Sequence, residues 1–301
     1  MGHKFIESSD TSAHNRAMAS TNRSRVQDIR ISNLNELTDA LFEDSLNKHL
    51  HRFRSNMAFR GVGDAGWDLR TSLMRLGGRY SLLEKPILRS FRKYAHRNAA
   101  AGDSVWNWLT VAQHHGLPTR LLDWTYSPYV AMHFATSELE HMGKDAAIWC
   151  VDFVKAIDFL PLRLRDVLEG EYTNGFTVEM LGKQAPTLEE FDSLRAGEDF
   201  VVFFEPPSLD DRVVNQYALF SVMCSNQGQL DVWLEKHRNL YRRVIIPASL
   251  KWEIRDKLDQ ANINERTMYP ALDGLSQWLK RHYSPGPKGA ITKSKAVGST
   301  G

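Results

Sequence analysis

Gln113-His114-His115-Gly116-Leu117-Pro118-Thr119-Arg120-Leu121-Leu122-Asp123-Trp124-Thr125 gathers two histidines, an arginine, an aspartate, a glutamine and two threonines around leucine and tryptophan. A glycine and a proline break the segment, and helical patterns flank it. It reads as an interhelix loop, where a rigid scaffold presents functional groups. Arg120 and Asp123 stand beside Leu121, Leu122 and Trp124, and charges buried among such side chains need partners. Two readings are open here: an Arg120–Asp123 ion pair that only orders the loop, or groups that bind and react. His114 and His115, adjacent on a helix, point apart. The ligand spacing of zinc sites is absent, so no metal is expected.

Working outward, Ser104 caps a helix that ends at Gly116, and the glycine suits a left-handed C′ position. On the other side Ser127-Pro128 starts a helix, serine as N-cap and proline as first residue, running to about His141. Upstream, Asn33 and Glu36 resemble a capping box before Leu34, Leu37, Leu41 and Phe42. Met57-Ala58-Phe59 reads as a short strand entering a turn at Arg60-Gly61. A helix over about 81–101 carries Arg89, Arg92, Lys93, His96 and Arg97 on its polar face, either a solvated face or a phosphate-tracking surface. Strands follow near 146–153, 200–205, 218–223 and 241–247, and helices near 250–260 and 272–283. The stretch 158–197 reads as an insertion between strands. Helices gathered around a small strand set indicate an α+β domain.

The chain has 301 residues, enough for one large domain, and 38 Lys+Arg against 36 Asp+Glu, so bulk charge does not announce a nucleic-acid binder. Two cysteines are too few for a disulfide framework, and Cys150, inside an apolar run, reads as a buried hydrophobe. There is no apolar leader and no membrane-length apolar run, so a cytoplasmic protein is expected. Residues 1–26 read as a mobile polar arm and 284–301 as a disordered tail.

Phe59-Arg60-Gly61, then Trp67 and Leu69, the 113–125 segment, Ser127-Pro128 and Ala131 with Phe134-Ala135 together resemble the FRG domain, named for its Phe-Arg-Gly motif. Asn215-Gln216-Tyr217-Ala218-Leu219-Phe220 and the stretch from Ile263 to Leu275 fit as later pieces, so the resemblance covers roughly 33–283. This chain has Tyr217 where the family usually has glycine, and Tyr269-Pro270-Ala271 where it often has Phe-Pro-Asp.

The order of these motifs is similar to that of ADP-ribosyltransferases. The resemblance implies a small mixed or antiparallel split sheet flanked by helices, with NAD as substrate. It implies that Arg60 grips pyrophosphate or ribose through charge-assisted hydrogen bonds. Thr119, Arg120, Trp124 and Thr125 complete the binding set, and Trp124 or Tyr126 stacks on the cationic nicotinamide. Cleaving the glycosidic bond creates an oxocarbenium-like centre that a carboxylate stabilises. Asp123 is the acid of the main segment, and Glu205, ending an apolar strand, is a second candidate. Gln216, nearest the third motif, is neutral and suits orienting ribose hydroxyls. Members of the family resemble toxin and phage-defence effectors, which implies a macromolecular acceptor and an inhibitory antitoxin protein. The basic face at 89–97 and the arginines of 23–30 lean toward RNA or DNA as acceptor. The alternative is a non-catalytic nucleotide- or RNA-binding module, which the neutral Gln216 favours.

Overall fold

The computed structural model of the protein describes residues 28–95, 102 and 104–285. The polar arm 1–26, nearly all of the tail, and His96 and Arg97 of the basic face lie outside these residues. The strands are β1 (Asp28–Arg30), β2 (Leu46–Asn47), β3 (Arg52–Phe53), β4 (Met57–Val62), β5 (Leu121–Thr125), β6 (Ala146–Asp152), β7 (Phe176–Thr177), β8 (Val201–Glu205), β9 (Ala218–Met223) and β10 (Tyr241–Ile246). The helices are α1 (Leu34–Phe42), α2 (Ser72–Arg75), α3 (Tyr80–Ala95), α4 (Val105–His114), α5 (Pro128–Thr136), α6 (Leu162–Gly170), α7 (Val178–Gln184), α8 (Leu188–Ser193), α9 (Asp211–Asn215), α10 (Leu230–Lys236), α11 (Lys251–Gln260), α12 (Glu265–Met268) and α13 (Leu272–His282). No helix among the described residues is long and apolar enough to cross a membrane.

The fold is mixed α/β, but the sheet is not small. Eight strands run in the order β1-β10-β6-β4-β5-β9-β8-β7, with β2 and β3 forming a separate hairpin. The sheet is split. β4 pairs with β6 along its whole length, from Met57 opposite Asp152 to Val62 opposite Ala147. β5 pairs with β9 along its whole length too, from Leu121 opposite Val222 to Thr125 opposite Ala218. Between β4 and β5 one residue pair remains, Phe59 opposite Thr125. Two half-sheets therefore diverge from that link.

One face of the sheet is a single core shared by both halves, with Ala58, Val62, Trp149 and Ile245 from one side and Leu122, Trp124, Phe203 and Leu219 from the other. The opposite face carries two separate cores. Over β4, β6 and β10, residues Phe59, Ile148, Cys150 and Val244 pack with Leu37, Ala131, Ala135 and Ile254 from helices. Over β5, β9 and β8, residues Leu121, Phe204, Phe220 and Val222 pack with Trp106, Leu164, Leu181 and Phe191. The 158–197 stretch thus supplies β7 and three helices of the second core.

Several boundaries differ from the sequence reading. Arg60-Gly61 is not a turn but the middle of β4, held by its ladder with β6. Leu121–Thr125 is not loop but an inner strand, paired with β9 along its length and with β4 at Thr125; four of its five residues are buried and Asp123 is exposed. The caps act where expected: Asn33 accepts from the Glu36 N–H, Ser104 from Asn107 and Ser127 from Val130, and Gly116 sits at φ +77°. Tyr217, standing where the family has glycine, is in the left-handed region at φ +48°, the conformation that glycine adopts without steric cost.

Two glycines are required by close approach. At Gly61 an added Cβ would stand 1.9 Å from the Ala131 carbonyl oxygen and 2.7 Å from the Ala135 nitrogen, so α5 lies directly on β4. At Gly274 it would stand 2.0 Å from the Tyr269 carbonyl oxygen, which brings α13 onto the end of α12. Arg281 reinforces that corner, bonding Glu265 at 2.6 and 2.8 Å and Asp259 at 2.6 and 2.9 Å. The corner holds Tyr269 in place.

Candidate functional site

Where the half-sheets separate, a cleft of about 450 Å³ opens, within the size range of small-ligand sites. Its lining includes Arg60 and Gly61 of β4, Asp123 and Thr125 of β5, Gln113 of α4, Arg75 of α2, Arg212 of α9 and Gln216 at its end, and Tyr269. The structure therefore brings Arg60, Asp123 and Gln216 to one cavity, although they are far apart in sequence.

The fork explains the first contact. Backbone groups on diverging strands lose their ladder partners and need others. The Arg60 guanidinium crosses the gap and donates to the Asp123 carbonyl oxygen at 2.6 Å, with the Asp123 carboxylate 3.8 Å away. Burial disfavours its charge, Asp123 supports it, and Arg75 repels it, with a net lowering of its pKa. The Asp123 side chain is 59 % exposed and faces the cleft.

Gln113 holds that carboxylate through a relay. Its amide nitrogen donates to both Asp123 oxygens at 2.9 Å. Its amide oxygen accepts from the Thr119 hydroxyl at 2.5 Å, and that hydroxyl accepts from the Leu121 N–H at 3.1 Å. With the Thr119 proton committed to the amide oxygen, the Gln113 NH₂ must face Asp123. Thr119 is therefore a positioning residue, nearly fully buried, rather than a direct ligand of a cofactor. Thr119→Val strands both the Leu121 N–H and the Gln113 amide oxygen. It is expected to cost about 1–2 kcal/mol, with Thr119→Ser recovering most of it, as read by urea denaturation.

Thr125 is likewise committed to structure. Its hydroxyl donates to the Gln216 carbonyl at 2.7 Å and accepts from the Ser127 N–H. Gln216 and Asn215 donate from their amides to the Met268 and Thr267 carbonyls at 3.0 and 2.9 Å. These bonds dock the 215–220 piece on the 263–275 piece, and Tyr269 follows directly.

Of the other expected site residues, Arg120 and Glu205 lie away from the cleft, and Trp124 borders it with its ring buried. Arg120 does not pair with Asp123. It is buried with Glu84 at 2.5 and 2.6 Å and Asp192 at 2.5 Å, with Asn226 also on Glu84 at 2.9 Å. Burial opposes its charge, but the bonds to Glu84 and Asp192 outweigh that and raise its pKa. Trp124 touches the cleft lining, but its ring packs against Phe203, its N–H donates to Ser221 at 2.8 Å and the residue is 3 % exposed, so it offers little surface for stacking. Glu205 is outside the cleft lining and accepts from the Tyr126 hydroxyl at 2.9 Å, which occupies Tyr126 as well.

The residues missed from sequence are cationic and aromatic. Arg75 ends α2, and one guanidinium nitrogen donates to both the Asp68 carbonyl and carboxylate at 3.4 Å. Arg212 donates to the His114 carbonyl at 3.2 Å and lies 4.9 Å over the Tyr269 ring. His114 pairs with Asp210 at 2.8 Å, while burial lowers its pKa. Helices of four and five residues show too little periodicity to reveal such positions. Tyr269 was visible as a motif residue without an assigned role.

Comparisons with curated proteins and with solved structures find no match. Residues 55–144, which carry Arg60, Gly61, Gln113, Asp123 and the helix packed on Gly61, match the FRG domain model, so this part of the chain is an FRG domain.

Proposed function

We propose that the cleft binds NAD and that the protein transfers ADP-ribose from it to a macromolecular acceptor. The observation that carries this reading is an accessible carboxylate, Asp123, fixed beside the Arg60 guanidinium in a nucleotide-sized hollow at the fork of a split sheet. In the reaction the bond from the ribose C1′ to the nicotinamide nitrogen breaks, and its electron pair leaves with neutral nicotinamide. Positive charge develops at C1′ and the ring oxygen, where the Asp123 carboxylate opposes it. A nucleophile of the acceptor then bonds C1′ and releases its proton to solvent. Gln216 lines the cleft with its amide nitrogen given to the Met268 carbonyl, so its amide oxygen is the atom that would accept from a ribose hydroxyl. The family resemblance supports a toxin or phage-defence role in the cytoplasm, with an inhibitory protein as partner and RNA, DNA or protein as acceptor.

The test is incubation of the purified protein with adenylate-labelled NAD and cell extract. Label transfer, or nicotinamide release, is the expected result. Asp123→Asn keeps the shape and removes the charge, and is expected to lower the rate about 100-fold. Folded protein that neither transfers label nor consumes NAD would remove this reading. Two observations favour a second one, a nucleotide-binding module without turnover. Gln113 occupies both Asp123 oxygens, and Gln216, the residue nearest the third motif of the resemblance, is neutral. That reading predicts calorimetric binding of NAD with no chemistry.

A further inference from the structure

We propose that Arg60, Arg75 and Arg212 form a clamp for two linked phosphates, so that the cleft selects a nucleoside diphosphate derivative over a monophosphate. The proposal deepens the NAD reading and rests on it for the nucleotide, but the clamp itself stands on the arrangement of charge.

The three guanidiniums come from three separate elements, β4, α2 and the start of α9, and all line the same cleft. Their carboxylate partners are distant: Asp123 stands 3.8 Å from Arg60 and Asp68 3.4 Å from Arg75, and Asp68, Asp123 and Glu138 also line the cleft. Arg60 is anchored to a neutral carbonyl, and the nearest Asp123 oxygen is 3.8 Å away. Arg212 is anchored to the His114 carbonyl and lies over the Tyr269 ring. Arg75 makes only long contacts to Asp68, whose carboxylate is held more closely by Arg70 at 2.7 Å. The buried Nε atoms of Arg60 and Arg212 find no acceptor among the described residues. The Arg60 and Arg212 forks, each held through one terminal nitrogen by a neutral carbonyl, are preorganised to offer their remaining terminal N–H groups to anionic oxygens.

Like charges also crowd one another here. Arg75 and burial both weigh against the charged form of Arg60. An anion between the two relieves the repulsion. A single phosphate has three terminal oxygens on one centre. Three guanidiniums on different walls of a 450 Å³ cleft are better matched by a diphosphate, which spreads its oxygens over two centres.

The experiment is titration calorimetry of the full chain with ADP-ribose, AMP and nicotinamide riboside. ADP-ribose is expected to bind at least about tenfold more tightly than AMP, with affinity falling as salt rises. Arg75→Gln alters a half-exposed side chain, and Arg212→Lys keeps the charge but loses the planar fork. Each is expected to weaken ADP-ribose about tenfold and to leave nicotinamide riboside, which has one phosphate fewer than a mononucleotide, unchanged. Equal binding of ADP-ribose and AMP, unaltered ADP-ribose binding by both variants, or no binding of any probe overturns the clamp. The two proposals fail separately. ADP-ribose held through the arginines without NAD turnover keeps the clamp and removes the transferase. NAD consumed by both variants with unaltered KM removes the clamp and keeps the transferase.

Discussion

Gly61→Ala is expected to lose about 3 kcal/mol or more of stability, the upper end of overpacking effects, and to melt far below the wild type. The added methyl meets the Ala131 carbonyl oxygen at 1.9 Å and the Ala135 nitrogen at 2.7 Å. Both are backbone atoms of a helix, so no side-chain rotation relieves the clash. α5 would have to lift from β4 and open the core built on Phe59, Ala131 and Ala135. Gly63→Ala is the control: its methyl would lie 3.5 Å from the His141 Cβ, an ordinary contact, and only a small effect is expected. Thermal melts of both variants check the argument. A Gly61→Ala protein that melts with the wild type would show that the helix does not lie on the strand as described.

Arg120→Met is expected to cost about 3–5 kcal/mol, the range for removing one member of a buried ion pair. Glu84 is only 6 % exposed and would be left without its cation. Adding Glu84→Gln removes the stranded charge, so the double variant is expected to recover much of the loss, giving strong coupling in a double-mutant cycle. Urea denaturation of the four proteins measures it. Strict additivity would mean that the pair contributes nothing as a pair. At temperatures where the Arg120→Met protein stays folded, nucleotide binding should survive, since Arg120 is not among the residues lining the cleft.

Local signals served well wherever the physics is local. Ser127-Pro128 and Asn33 fix helix starts through bonds two or three residues away, and both are found in place. The apolar strand at 218–223 has the bounds its composition suggests. The 113–125 segment was harder. Its polar residues argue for a loop, yet Asp123 is polar because it faces a cleft, and Leu121–Thr125 is an inner strand. Arg120 shows the general obstacle. Its partners Glu84 and Asp192 are 36 and 72 residues away, so proximity in sequence pointed to Asp123 instead. The Arg60-Gly61 pair was misread as a turn for a related reason. The glycine answers to a helix that begins 67 residues later, and no pattern around residue 61 records that.

The seam between β4 and β5 has a further consequence. With one residue pair joining the strands, the bond from Arg60 to the Asp123 carbonyl is also a stitch holding two slabs of the protein together. Atoms that would meet a ligand are thus part of the mechanical joint. A substitution there tugs on chemistry and rigidity at once, and a variant selected for toughness at this joint would surrender some of its capacity to adjust around a guest.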